Sequence, residues 1–291
     1  MIAGIDLGGT QVRLAVARSD GRITGVERTQ TQSLKGPDGL AEWAATAVAS
    51  LGASRKLKSV AIGAPGPIDQ ERGLLINPPN LPGWGNSELA AVLCRALGSP
   101  VHLENDANLA GLGEYHQGAG RGTRNLVYIT WSTGVGGGLI IDGNLYSGSH
   151  GTAGEIGHTI VDPNGPLDAC GQRGCLEAFA GGNMLAQQTG RGADELFRDA
   201  ARGDQEARMV VSRAARYMGI ALINLANLID AEMIVIGGGV SRSWSFVQPM
   251  LLEVLRSSPF IKPARRPKLR RARLGDRAGQ VGAVEWARAK L

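Results

Sequence analysis

Two glycine-rich turns, "DLGGTQ" at residues 6–11 and "STGVGGG" at residues 132–138, each lie between two stretches of strand pattern. That placement restricts the fold more than any other feature of the chain. In a dinucleotide fingerprint or a Walker A loop the glycine turn joins a strand to a helix. No lysine follows a glycine anywhere in the 291 residues, which removes the Walker A lysine as well. Glycines free in their dihedrals can aim successive backbone N–H groups at an anion, so each turn is either a phosphate cradle or a plain tight hairpin. Two such turns, in chain halves of similar pattern, imply an internally duplicated α/β fold with phosphates held between the halves.

The surrounding pattern agrees. Apolar alternation predicts strands over 2–7, 12–18 and 23–29, then a helix from Pro37 to about Leu51. Strands are expected at "VAIGAP" and "VHLEN", separated by the helix "NSELAAVLCRALG", and again at "NLVYITW" and "GGLIIDGNLY", where Asp142-Gly143 marks a hairpin. A long helix is predicted over about 204–229, a strand within "AEMIVIGGGV", and a closing helix from about Ala278. The result is a mixed sheet with helical cover.

Composition narrows the class. With 43% hydrophobic and 20% charged residues the chain is globular, and its length suits two domains. Three cysteines exclude a disulfide framework and point to a reducing, cytoplasmic setting. The amino terminus reaches Asp6 before any long apolar stretch, and no run of 18 apolar residues exists, so neither signal peptide nor membrane span is expected. The net charge of +5 owes much to residues 262–273, "KPARRPKLRRAR", which hold seven basic side chains and no acidic one. These read as a solvated strand and loop, or as a polyanion surface; the lack of interleaved aromatics weighs against nucleic acid.

Polar residues cluster where a ligand would sit. "ENDANLAG", residues 104–111, places Asn105 and Asp106 at the end of a strand where a helix begins, a favoured ligand position in α/β sheets. Either residue can simply cap the helix. Alternatively, Asp106 accepts a proton from a substrate hydroxyl while Asn105 bonds a neighbouring one. "GAPGPI" at 63–68 can bring backbone close to a ligand, and the proline-stiffened "NPPNLPGW" at 77–84 can present Asn80. Glu155, His158 and Glu177 complete a set of acids and amides suited to vicinal hydroxyls. Within "HTIVDPNGPLDACGQRGC", residues 158–175, the donors His158, Cys170 and Cys175 are those of a structural zinc site, with Asp168 as a less common fourth ligand. A metal-free loop held by Asp168 hydrogen bonds to backbone amides is the alternative.

"GIDLGGT", "GAPGPI", "NPPNLPGW", "ENDANLAG", "STGVGGG", "HGTAGEIGH", "CGQRGCLE" and "IGGGV" follow one another in an order that covers essentially the whole chain. On these motifs the sequence resembles the ROK family, the bacterial sugar kinases and related repressors of the actin-like ATPase superfamily. The resemblance implies a two-domain, ribonuclease H-like α/β fold with a cleft between a small and a large domain. The small domain would span 1–106 and be completed by the helix 277–291; the large one would span 107–276 and carry the zinc-type loop 158–175. It further implies ATP and Mg²⁺, and a hexose as acceptor: glucose first, with N-acetylglucosamine, N-acetylmannosamine, fructose or allose as alternatives. Asp106 would be the catalytic base, with Gly66, Asn80, Asn105, Glu155, His158 and Glu177 around the sugar. Gly8, Gly9, Thr10, Thr133 and Gly134 would hold phosphates, Gly237 and Gly238 would border the adenosine, and Asp6 would orient Mg²⁺ through its waters. The family's zinc loop reads C-x-C-G-x-x-G-C, and here Asp168 stands at its first cysteine, so structural Zn²⁺ with an atypical fourth ligand is expected. A homodimer or homotetramer is implied, with no membrane or nucleic-acid partner. The repressor alternative is disfavoured because no helix-turn-helix region is expected ahead of the first glycine-turn strand.

Overall fold

The apolar stretches of the first third become β1 (Ile2–Leu7), β2 (Gln11–Ala17) and β3 (Ile23–Gln30), followed by α1 (Gly36–Ser50) and β4 (Ser59–Ala64). The short strands β5 (Ile68–Asp69) and β6 (Leu74–Leu75) precede α2 (Leu89–Leu97), β7 (Val101–Asn105) and α3 (Asp106–Gln117). Next come β8 (Leu126–Trp131), β9 (Val135–Ile141) and β10 (Asn144–Leu145), then α4 (Leu176–Ala180), α5 (Gly182–Thr189), α6 (Ala193–Arg202) and α7 (Gln205–Ile229). The chain closes with β11 (Met233–Gly237), α8 (Trp244–Ser257), β12 (Lys268–Arg271) and α9 (Ala278–Ala289). This computed structural model describes residues 1–53 and 57–291.

Two five-stranded sheets repeat one topology. Their orders are β3-β2-β1-β4-β7 and β10-β9-β8-β11-β12, so in each a leading three-stranded antiparallel meander is extended by two parallel strands. Both glycine turns occupy the hairpin between the first and second strands of their sheet, β1–β2 and β8–β9. The internal duplication expected from the turns is thus realised strand for strand, in a mixed α/β fold with two sheets.

The chain divides into a first unit, Met1–Gly118 with Ser147–Ala153 and Asp276–Leu291, and a second, Ala119–Tyr146 with Gly154–Gly275. The helix expected to open the larger domain after residue 106 therefore groups with the first unit. The reason lies in packing: α3 and α9 approach until backbone meets backbone. A Cβ on Gly282 would stand 1.6 Å from the Leu109 carbonyl oxygen, so no side chain fits at that crossing. In the first sheet Ile5, Leu7, Leu14 and Val16 face α1 and α2, whereas Ile2, Ala15 and Ala61 face Val284 and Ala287 of α9. Strand alternation puts Asp6 on that second face, where the first turn of α9 packs against its carboxylate.

In the second unit Trp131 is fully buried, donates its indole N–H to the Ala180 carbonyl at 2.7 Å, and meets Phe197 edge-on at 5.5 Å. The 25-residue α7 supplies the buried face Val211, Ala214, Met218, Leu222. The basic segment forms strand β12, with Leu269 buried and Lys268, Arg270 and Arg271 exposed, as the solvated-strand reading anticipates. No helix among the described residues is long and apolar enough to cross a membrane.

Candidate active site

In the first unit the strand-to-helix junction carries both polar residues singled out there. Asn105, with extended backbone, caps α3: its Oδ1 accepts the N–H groups of Ala107 at 2.9 Å and Asn108 at 3.2 Å. Capping thus consumes the oxygen of that side chain and leaves the amide nitrogen, which lies 3.7 Å from where a Cβ on Gly66 would stand. Asp106 occupies the first turn, where the positive end of the helix favours a carboxylate, and its Oδ1 accepts the Ala107 N–H at 2.8 Å. The capping and ligand readings of this turn are therefore compatible.

The first glycine turn lies against the proline-rich loop. The Gly8 N–H closes the hairpin on the Gln11 carbonyl at 3.0 Å, the Thr10 carbonyl accepts from Thr31, and a Cβ on Gly9 would stand 3.0 Å from the Asn80 carbonyl oxygen. The expected phosphate turn and Asn80 are neighbours. Asp6, at the end of β1, has a side chain only 14% exposed and Arg13 Nη1 at 3.4 Å. Burial pushes its carboxyl up to about 6, against the pull of Arg13 and with a smaller push from Asp276. A buried acid with so little compensating charge is suited to a nearby cation.

That shift carries a stability consequence. The folded value of about 6 exceeds the ordinary 3.8, so the native state holds a proton that the unfolded chain releases between those limits. The stability contributed by this group is complete below about 3.8 and is lost as pH rises through about 6. Asp6→Asn is accordingly expected to raise the melting temperature near pH 8 and to leave it little changed near pH 4, as scanning calorimetry at both pH values would measure.

In the second unit the other glycine turn interlocks with Glu177. The Ser132 N–H closes the turn on the Gly134 carbonyl at 2.9 Å, the Val135 N–H donates to Glu177 Oε2 at 2.6 Å, and a Cβ on Gly134 would overlap that same oxygen. Only glycine allows the turn to come this close. Burial moves the Glu177 carboxyl above its ordinary range, while the Val135 N–H acts in the other direction. Thr133 is exposed, and its carbonyl accepts from Asn183 at 2.8 Å in the first turn of α5. Gly237 ends β11 against the Tyr128 hydroxyl, and Gly238 passes over the Trp131 carbonyl.

Glu155 is exposed, and its carbonyl accepts the His158 N–H at 3.2 Å. A ring nitrogen of His158, a carboxylate oxygen of Asp168 and the sulfurs of Cys170 and Cys175 converge, each within 4.8 Å of the others. The two sulfurs are 3.7 Å apart, and Nδ1 is 3.4 Å from Oδ2. Tetrahedral zinc, with bonds of about 2.3 Å to sulfur and about 2.1 Å to nitrogen and oxygen, has edges of about 3.8 and 3.4 Å, so the donor set fits the ion. Without a cation the cluster is crowded with acceptors. The Cys170 thiol is held up to about 11, chiefly by its hydrogen bond to Asp168, and Asp168 Oδ1 is buried with no partner. Asp168 also accepts the Cys170 N–H at 3.2 Å, the backbone contact of the metal-free alternative. Gln172 Nε2 donates to the His158 carbonyl at 2.8 Å and to Cys175 Sγ at 3.1 Å, tying the loop's two ends.

One residue escaped the sequence reading. Glu104, 1% exposed, accepts hydrogen bonds from the Asn105 N–H, Asn108 Nδ2, Gln70 Nε2 and Ser147 Oγ. Its sequence signal was only an acid next to the last residue of the strand VHLEN. A cavity of about 520 Å³ in the first unit is lined by Gln70, Cys94, His102, Glu104, Trp286 and Lys290, among others, and by none of the expected sugar or phosphate residues.

The whole chain has known relatives. Residues 2–290 match the model of the ROK family. The crystal structure of a ROK hexokinase from Thermus thermophilus is 37% identical, covers 99% of this chain and 98% of its own, and has a TM-score of 0.86. A ROK family glucokinase from Streptomyces griseus, solved in complex with glucose and AMPPNP, is 32% identical over 99% of each chain with a TM-score of 0.81. The N-acetylmannosamine kinase of Salmonella paratyphi B is 36% identical over 286 residues, 96% of each sequence.

Proposed function

This chain belongs to the ROK family, and from that premise we propose that it is an ATP-dependent hexose kinase, with glucose as the acceptor and glucose 6-phosphate as the product. The observation that carries this reading is the interlock of the second glycine turn with Glu177: a backbone suited to phosphate and a carboxylate suited to a sugar hydroxyl are joined by the Val135 N–H. A protein built only to bind sugar has no need of that junction. A kinase does, because phosphoryl transfer depends mainly on positioning and charge neutralisation.

The chemistry then divides among named residues. Asp106 takes the proton from the attacking hydroxyl, held in the first turn of α3 by the Asn105 cap. Asn80, Asn105, Glu155, His158 and Glu177, with the backbone at Gly66, orient the sugar. Gly8, Gly9, Thr10, Thr133 and Gly134 take the phosphates, and Gly237 and Gly238 border the adenosine. Mg²⁺ bound with ATP would supply neutralising charge to the phosphates, and the buried carboxylate of Asp6 suits its hydration shell. Zinc on His158, Asp168, Cys170 and Cys175 would be structural. Because Nδ1 belongs to the cluster, Nε2 of His158 is the ring nitrogen left for a sugar hydroxyl.

The N-acetylmannosamine kinase relative gives an acetamido sugar as the second reading. A coupled ADP-release assay over a panel of hexoses decides between them: glucose is expected to give the highest kcat/KM, and a preference for N-acetylmannosamine would move the assignment. Gly134→Ala tests the interlock itself, since the added methyl must displace Glu177 or the turn. It is expected to raise KM for ATP and for hexose together, on the order of tenfold to a hundredfold. A change confined to one substrate would separate the two functions.

A further inference from the structure

We propose that Glu104 is a positioning residue of the kinase reaction, clasping the base-bearing turn of α3 to the loop that leads into Glu155 and His158. The inference rests on the hexose-kinase reading and deepens it.

Two groups of contacts meet on this one side chain. Toward the base, Oε1 accepts the Asn105 N–H at 2.9 Å and Asn108 Nδ2 at 2.9 Å, so it fixes the residues on either side of Asp106 and Ala107. Toward the loop, Oε2 accepts Ser147 Oγ at 3.0 Å, and Gln70 Nε2, also bonded to Glu104, packs its amide 3.2 Å from where a Cβ on Gly151 would stand. The segment Ser147–Ala153 is itself closed by the Ala153 N–H on the Ser147 carbonyl at 3.0 Å. It belongs to the first unit although the chain on either side of it, Tyr146 and Gly154 onward, belongs to the second. Glu104 and Gln70 therefore anchor a closed loop whose continuation carries two of the expected sugar ligands.

A buried carboxylate accepting four hydrogen bonds is costly to place and strongly directional once placed. Capping of α3 does not require it, since Asn105 performs that task. Packing does not require it either: the side chain borders a cavity of about 520 Å³ rather than filling a core. What the four bonds share is a common hold on the Asp106 turn and on the 147–153 loop.

Steady-state kinetics of Glu104→Gln, Glu104→Ala, Gln70→Ala, Ser147→Ala and the pair Gln70→Ala/Ser147→Ala, with melting temperatures, test the assignment. Ser147→Ala is expected to raise hexose KM about tenfold to a hundredfold, the range of one hydrogen bond to a carboxylate, with the KM for ATP unchanged. Glu104→Ala is expected to lower kcat and raise hexose KM together. Glu104→Gln keeps the acceptor oxygen and can donate to Ser147, so it is expected to restore most of both. Gln70→Ala and Ser147→Ala are expected to combine less than additively, because both act through Glu104; this cycle decides the matter should Glu104→Ala fail to fold. Wild-type kinetics in Glu104→Ala and Ser147→Ala would overturn the inference. So would additivity in the pair, or losses that follow the melting temperature alone and are not rescued by glutamine. Wild-type protein without hexose-dependent ADP release would instead remove the underlying reading, and this one with it.

Discussion

Asp106→Asn is expected to lower kcat by about 10²–10⁴, the usual contribution of a positioned general base, while hexose affinity stays within about threefold. The substitution is nearly isosteric. Its Oδ1 can still accept the Ala107 N–H, and Asn105 still caps α3, so the turn and the helix keep their shape. What disappears is the basicity at one atom. Isothermal titration with hexose and a coupled kinetic assay, run on the same preparation, read the two quantities separately. Ordinary turnover in the variant would remove Asp106 from the reaction; loss of sugar binding in parallel with kcat would make it a ligand rather than a base.

The second large effect is expected at the His158–Cys175 loop. Removing the proposed zinc with a chelator, or replacing Cys175 by Ser, is expected to raise hexose KM about tenfold to a hundredfold, the usual cost of disturbing the groups that orient a metal-bound ligand. The KM for ATP should move little. The side chain of His158 is 41% exposed and its Nδ1 lies 3.4 Å from Asp168 Oδ2, so an ion held by the cluster would add to the orientation of the imidazole. Asp168→Cys is expected to strengthen metal retention, because a thiolate is the softer and preferred donor for zinc. Elemental analysis before and after dialysis against chelator, with hexose KM measured on both samples, tests this. A metal-free preparation of full affinity would leave the backbone contact of Asp168 to Cys170 as the loop's support.

The sequence revealed the repeated hairpins best. Local chemistry alone dictates the glycine turns between β1–β2 and β8–β9, and Asp142-Gly143, with φ of 52° and 81°, turns as its dipeptide predicts. The long amphipathic α7 and the closing α9 were equally plain. Less legible was anything set by distant partners. The helix expected from Asn86 begins only at Leu89, because Ser87 is paired in extended form with Leu75. The segment 176–202 divides into three helices at glycines whose positions no periodicity announced. The expected boundary at 106 moved because α3 and α9 meet through glycines far apart in sequence. At the candidate site, the residue types singled out Asp106, Glu177 and the cluster of His158, Asp168, Cys170 and Cys175. Glu104 was not visible, since its partners Gln70 and Ser147 lie 34 and 43 residues away.

Phosphorus NMR of the products formed from ATP and glucose addresses the central claim most directly. ADP and a hexose phosphate are expected in equal amounts, the phosphate on the 6-hydroxyl, formed by the wild type and formed about 10²–10⁴ times more slowly by Asp106→Asn. Inorganic phosphate in place of a sugar ester, or an ester formed undiminished by the variant, would contradict it.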